Sequence, residues 1–161
     1  VNADAVAPAP SSGHSTGISL GLLLKAGVGL GIARAAWSDL MTAIGDRSTT
    51  VLPRIGERAI RIEATAAALE RAGRKLDIAQ VNPMEAAMAD AHFSASAAAI
   101  LAGETALDTA NALFELAGET SAGIGLNLDR HWRNARIHAL SLPRDKLVHT
   151  AGEYMSKVGG A

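Results

Sequence analysis

Between Leu128 and Leu140 the chain concentrates the residue types that bind groups and move protons. Three arginines (Arg130, Arg133, Arg136), two histidines (His131, His138), Asp129, Asn134 and Trp132 stand within this one stretch. An imidazole gains and loses a proton close to ambient pH, so a placed histidine can manage a single proton at a reacting group. On a helix, Arg130, Arg133, Asn134 and His138 share one face, and Asp129, Trp132, Arg136 and Ala139 line an adjoining one. A surface helix carrying tryptophan, asparagine and histidine beside arginines points to something bound or ordered there. The plainer alternative is an arginine-rich helix knitted to neighbouring carboxylates, with Trp132 as a core anchor.

The elements that must position this stretch read as helices. The chain is long enough for one domain with a sizeable core, at 161 residues. Aromatics make up only 3% while small apolar residues abound, which suits closely approaching helices better than a β-sandwich. A formal charge of −1 leaves no electrostatic footprint for nucleic acid. With no cysteine, disulfides and thiolate metal sites are excluded, and a reducing compartment, the cytoplasm, fits. Residues 1–15, with Pro8 and Pro10 and no helical stripe, read as a linker from an upstream β-domain, and 16–161 as a helical bundle domain.

A first helix is expected from about Thr16 to Gly45. Its glycines, Gly17, Gly21, Gly27, Gly29 and Gly31, are read as letting a buried helix lie close to its neighbours. Lys25 and Arg34 interrupt the apolar run, so no membrane span is expected. Gly27-Val28-Gly29-Leu30-Gly31 matches neither the dinucleotide fingerprint nor the P-loop. A polar connector, residues 46–50, leads to Pro53 in the first turn of a second helix. That helix carries a seam at Ile55, Ala59, Ile62, Ala66, Leu69, Gly73 and Leu76, with Glu57/Arg61 and Glu70/Arg74 as i,i+4 pairs.

Asn82 is expected to cap the third helix, with Pro83 in its first position and Glu85 closing a capping box. Its seam is Met88, Ala91, Ala95, Ala98, Ala102, Ala106, Ala110, Leu113 and Ala117, and Gly118 suits the turn that ends it. His92, beside the seam, reads as a structural histidine. Glu63, Glu85 and His92 lack the paired Glu-x-x-His motifs of a bundle iron site, so no metal is expected. Gly118 to Gly123 forms a loop, Ser141-Leu142-Pro143 breaks the arginine-rich helix, and Arg144 to Lys157 makes a last amphipathic helix.

The run Leu128 to Leu140 resembles the C-terminal signature of flavin-dependent monooxygenases on the acyl-CoA dehydrogenase fold. The sulfur-acquisition oxidoreductases and dibenzothiophene desulfurisation monooxygenases typically read L-D-R-H-W-R-N-A-R-T-H-T-L-H-D-P there. Glu57 to Ile62 and Leu69 to Arg74 resemble the family's second bundle helix. The resemblance implies an all-α, up-and-down antiparallel bundle of about four long helices plus a short C-terminal one. It implies reduced FMN, supplied by a separate flavin reductase, with FAD as the alternative. It also implies a small organosulfur substrate and assembly into a dimer or tetramer through the bundle.

By the same resemblance, His138 occupies the place of a histidine that faces flavin and substrate, where one proton must be managed in a dry site. Gly118 and Thr120 stand in a loop that lies against the flavin in the superfamily. Arg47 matches an arginine that reaches the flavin phosphate of another subunit. Arg133 and Asn134 are carried over as flavin-binding, and Arg130, Trp132, Arg136 and Ser141 as support of the site. The family's second histidine and following aspartate are here Ser141 and Leu142, and its threonine is Ile137. Acyl-CoA dehydrogenases carry R-D-x-R/K-I/L followed by E-G-T, whose glutamate is often the base. Leu142-Pro143-Arg144 stands at that place and leucine accepts no proton, which disfavours an acyl-CoA dehydrogenase activity. That activity and a non-catalytic helical assembly module remain the alternatives. Residues 1–161 alone, lacking the other two domains of such a flavin pocket, are expected to show little or no activity.

Overall fold

The computed structural model describes residues 15–45 and 47–158, apart from the Thr120 side chain. The expected linker lies outside the described residues except for Ser15, whose side chain caps the first helix by accepting from the Ile18 N–H at 3.2 Å. Five α-helices follow: α1 (Thr16–Ala43), α2 (Leu52–Val81), α3 (Glu85–Ala117), α4 (Asp129–Leu140) and α5 (Arg144–Val158). Two 3-10 turns, Glu119–Ala122 and Ile124–Leu126, join α3 to α4. Among the described residues there is no strand.

Cross-helix contacts fix the directions. Leu22 clusters with Ala95 and Ala98, Gly29 lies against Ala102, and Leu40 clusters with Leu113, so α1 runs parallel to α3. Arg58 pairs with Asp108 and Lys75 with Asp90, so α2 runs against α3. Lys25, early in α1, meets Ser141, while Asp39, late in α1, meets Arg130, so α4 runs against α1. Arg144 pairs with Glu104 and Tyr154 reaches Asp90, so α5 continues in the direction of α4. The bundle therefore has three long helices, and its fourth, antiparallel position is shared by α4 and α5. This is the expected all-α bundle, with its fourth position divided between two helices. The physical reason is Ser141-Leu142-Pro143: Pro143 cannot donate within a helix, and the chain restarts at Arg144.

The α3 seam is buried as expected from Met88 through Leu113, and most of it is alanine. Small side chains let helices approach closely, and Gly29 lies directly against Ala102 of α3. A Cβ there would lie 3.1 Å from the Ala102 carbonyl carbon. The other glycines of α1 touch no other helix, and Gly21, Gly27 and Gly31 have nothing within 4 Å of where a Cβ would stand. The reading of all five as packing glycines therefore holds for Gly29 alone. By length and composition α1 meets the requirement for crossing a membrane. Here one face is built into the bundle core, with Leu22, Ala26, Leu30, Ala33, Ala36 and Leu40 buried.

One buried polar pair joins α2 to α3 inside the bundle. Thr65 donates to the Arg61 carbonyl at 2.8 Å, and its oxygen lies 2.8 Å from that of Thr105. On the wet side Glu70 and Arg74 pair as expected, whereas Glu57 pairs with Arg58 and Arg61 turns to Asp108. Asn82 does not cap α3. It ends α2, its N–H bonding the Ile78 carbonyl, and extended Met84 precedes α3 without a side-chain cap bond. The short link leaves Asn82 committed to the helix it closes.

Candidate functional site

α4 is held by an inward stripe of Leu128, His131 and Ala135, all buried, continued after the break by Leu142. Its first turn is fixed from α1. Asp39 accepts from Arg130 Nη2 at 2.5 Å and lies 2.7 Å from His131 Nε2. Arg130 also donates to the Asn127 carbonyl at 2.8 Å, tying the loop to the same carboxylate. His131, rather than Trp132, is thus the ring built into the bundle. Trp132 stands one residue, about a 100° turn, off that stripe and is 43% exposed, so it is no core anchor.

The arginines divide by partner. Arg130 is committed to Asp39, and Arg133 to Asp129 with a longer bond to Asn127 Oδ1 at 3.3 Å. Arg136 makes no ion pair or hydrogen bond among the described residues and lines a cavity of about 550 Å³ with Ile100, Glu104, Leu107 and Arg144. Glu104 beside Arg144, by its hydrogen bond first and its charge second, holds that guanidinium above its ordinary range. The outward face of α4 is uncovered: Trp132, Arg133, Asn134, Arg136, Ile137 and Leu140 are all exposed.

His138 sits between the two faces in the last turn of α4. It is half-buried, and its Nε2 is shielded from solvent with no hydrogen-bond partner among the described residues. An unpaired, shielded ring nitrogen costs free energy unless something else completes it. Ser141 closes the helix. Its hydroxyl donates to the His138 carbonyl at 2.7 Å and accepts from Lys25 Nζ at 2.9 Å.

Gly118 ends α3 at φ 75°, a backbone that favours glycine, and the Gly118 carbonyl accepts from Ser121. The backbone of Thr120 lies in the following 3-10 turn. Ser121, Leu126, Leu128 and Arg130 line a cavity of about 420 Å³ with Asp39, Thr42 and Ala43 of α1. Arg47 is exposed in the α1–α2 connector. The structure brings Arg130, the Gly118–Thr120 loop and the end of α1 to one end of the bundle. His138, Arg136 and Ser141 lie towards the far end of α4. Arg133 and Asn134 lie between them. Lys25 and Asp39, which fix the two ends of α4, were not singled out from sequence as site residues. The available signal was their rarity, since Asp39 is the only acidic residue of α1 and Lys25 interrupts its most apolar part.

Shielded Nε2 of His138 and the exposed donors of Arg133, Asn134 and Arg136 fit a flavin, whose phosphate and ring oxygens accept hydrogen bonds. The model of the family described as acyl-CoA dehydrogenase, C-terminal domain, matches residues 23–141. SfnC of Pseudomonas putida, named a probable FMNH2-dependent monooxygenase, is 32% identical over 123 residues, 73% of this chain and 31% of that protein. Methanesulfinate monooxygenase MsuC of Pseudomonas fluorescens is similar in structure, with TM-score 0.77 and 27% identity over 84% of this chain and 39% of that one. Dibenzothiophene monooxygenase TdsC from a Paenibacillus species has TM-score 0.79 over 85% of this chain and 39% of its own, at 20% identity, which carries the fold alone. TdsC has also been solved with FMN bound. The chain spans well under half the length of each of these proteins. Through the matched helices and the signature on α4, this chain belongs to the acyl-CoA dehydrogenase C-terminal domain family.

Proposed function

We propose that this chain is the C-terminal flavin-contacting and assembly domain of a two-component, FMNH2-dependent monooxygenase that oxidises a small organosulfur compound in the cytoplasm. The observation that carries the reading is the outward face of α4, where hydrogen-bond donors and uncovered apolar residues stand together beside the unpaired His138 nitrogen. Reduced FMN, delivered by a separate reductase, would supply the oxygen-activating chemistry, with FAD as the alternative. Arg133 and Asn134 would bind the flavin from α4, and Gly118 and Thr120 from the loop. Arg47 would reach flavin phosphate, in a neighbouring subunit if assembly follows the superfamily. Arg130, Trp132, Arg136 and Ser141 support the site. His138 would hold or release one proton at Nε2, facing the reacting atoms in a site that excludes water.

The supporting names belong to the relatives, an FMNH2-dependent and a methanesulfinate monooxygenase. Leu142, at the place of the dehydrogenase glutamate, is buried in the bundle core, which disfavours proton abstraction there. A non-catalytic assembly module is the second reading, favoured by the uncovered apolar face of α1.

The experiment is an FMN titration of the chain alone and of the longer polypeptide that contains it, followed by turnover of dibenzothiophene or methanesulfinate with FMNH2 and O2. Binding and sulfur-compound oxidation confined to the longer polypeptide are expected. His138→Gln should then lower turnover by about 100-fold or more while flavin still binds. No flavin binding in either form would leave the assembly module.

A further inference from the structure

The last turn of α4 is not held by its own helix alone. Lys25 of α1 lies 116 positions away in sequence and places Nζ 2.8 Å from the Ser141 carbonyl and 2.9 Å from Ser141 Oγ. The Ser141 hydroxyl donates a hydrogen bond to the His138 carbonyl at 2.7 Å, and the Ser141 N–H bonds the same carbonyl at 3.1 Å. A helix C-terminus leaves carbonyls without N–H partners and carries partial negative charge, so an ammonium there is held by direction and by field. Elsewhere the stretch of α1 around Lys25 is apolar, with Leu22, Leu23, Leu24 and Ala26 beside it. A charged head rising from that stretch is satisfied by the end of α4.

The placement matters because the break at Ser141-Leu142-Pro143 frees α4 from α5. A helix end with no continuation frays, and the side chains on its last turn lose their direction. His138 stands on that turn with a shielded, unpaired nitrogen. We propose that Lys25 is a positioning residue for His138: through Ser141 it locks the last turn of α4 against α1 and so fixes where the imidazole points. The functional meaning of this lock rests on the reading above, but the lock itself is a property of this chain and is testable without flavin.

The test records the imidazole Cε1–Hε1 resonances of the full chain by NMR at one pH, assigned by single histidine substitutions. Lys25→Met should shift or broaden the His138 resonance and leave those of His131 and His92 in place. Lys25→Arg should return it towards its original position, since a guanidinium can donate to the same two oxygens. Ser141→Ala, which keeps the cation and removes the bridging hydroxyl, should also move the His138 resonance, and it serves alone if Lys25→Met does not fold. An unmoved His138 resonance in these variants, or equal movement of His131 and His92, would overturn the proposal. FMN titration of the longer polypeptide that contains this chain bears only on the proposed function: absence of binding there, with a responsive His138 in the chain, would sink that reading and leave the lock standing.

Discussion

At the scale of the residue, Asp39 decides more about α4 than any residue of α4 itself. It takes Arg130 and His131 together, and the His131 side chain is only 7% exposed. Removing the carboxylate leaves a buried ring nitrogen unpaired and an arginine without its anchor. Asp39→Ala should therefore lower unfolding free energy by about 2 kcal/mol, the cost of orphaning a buried polar group. Urea denaturation checks this, and a loss comparable to Arg133→Ala would contradict it. Arg133 is bonded on the surface, where an exposed ion pair contributes less than about 1 kcal/mol.

At the scale of the element, one glycine of α1, Gly29, packs directly on the backbone of α3. Gly29→Ala must push a methyl to 3.1 Å from the α3 backbone, whereas Gly27→Ala meets open space. The second substitution should stabilise the helix by about 0.5–1 kcal/mol. The first should instead destabilise the bundle, by about 1–3 kcal/mol of overpacking. Thermal unfolding of the pair reads the difference directly.

The docking of α5 gives a pH signature. Tyr154 stacks on Phe93 at 4.9 Å between ring centroids and reaches Asp90. Burial first, then the charge of Asp90, holds the Tyr154 hydroxyl above its ordinary 10.0. The folded chain therefore keeps a proton that the unfolded chain releases above that pH. Stability must fall as pH rises through and beyond 10.0. Tyr154→Phe keeps the stack and lacks that proton, so its stability should fall less steeply over the same range in urea titrations.

At the scale of the whole molecule, the uncovered side of α1 needs an explanation. Leu20, Leu24 and Val28, with Gly17, Gly21, Gly27 and Gly31, make an exposed apolar stripe; Leu24 is 64% and Val28 55% exposed. Contiguous apolar surface of this kind is normally covered. In line with the proposed assembly through the bundle, sedimentation should show the chain as a dimer or larger. Leu24→Glu should shift it to monomer with little change in helix content. A monomeric wild-type chain at micromolar concentration would count against assembly by this face.

Sequence alone determined the helices, the alanine seam of α3 and the signature stretch, because each is written in the local spacing of residues around one axis. It also placed the break at Pro143, since proline acts on its own helix. The chemistry-bearing residues of α4 were legible for the same reason, as a run of types with no parallel elsewhere in the chain. What the fold decided was which faces these helices show one another. Trp132 faces out, four of the glycines of α1 face no helix, and the fourth bundle position is shared by two helices. Lys25 and Asp39 became residues of consequence only there. Their partners lie 116 and 92 positions away, and no periodicity within α1 can report a contact that depends on how a distant helix is aligned beside it.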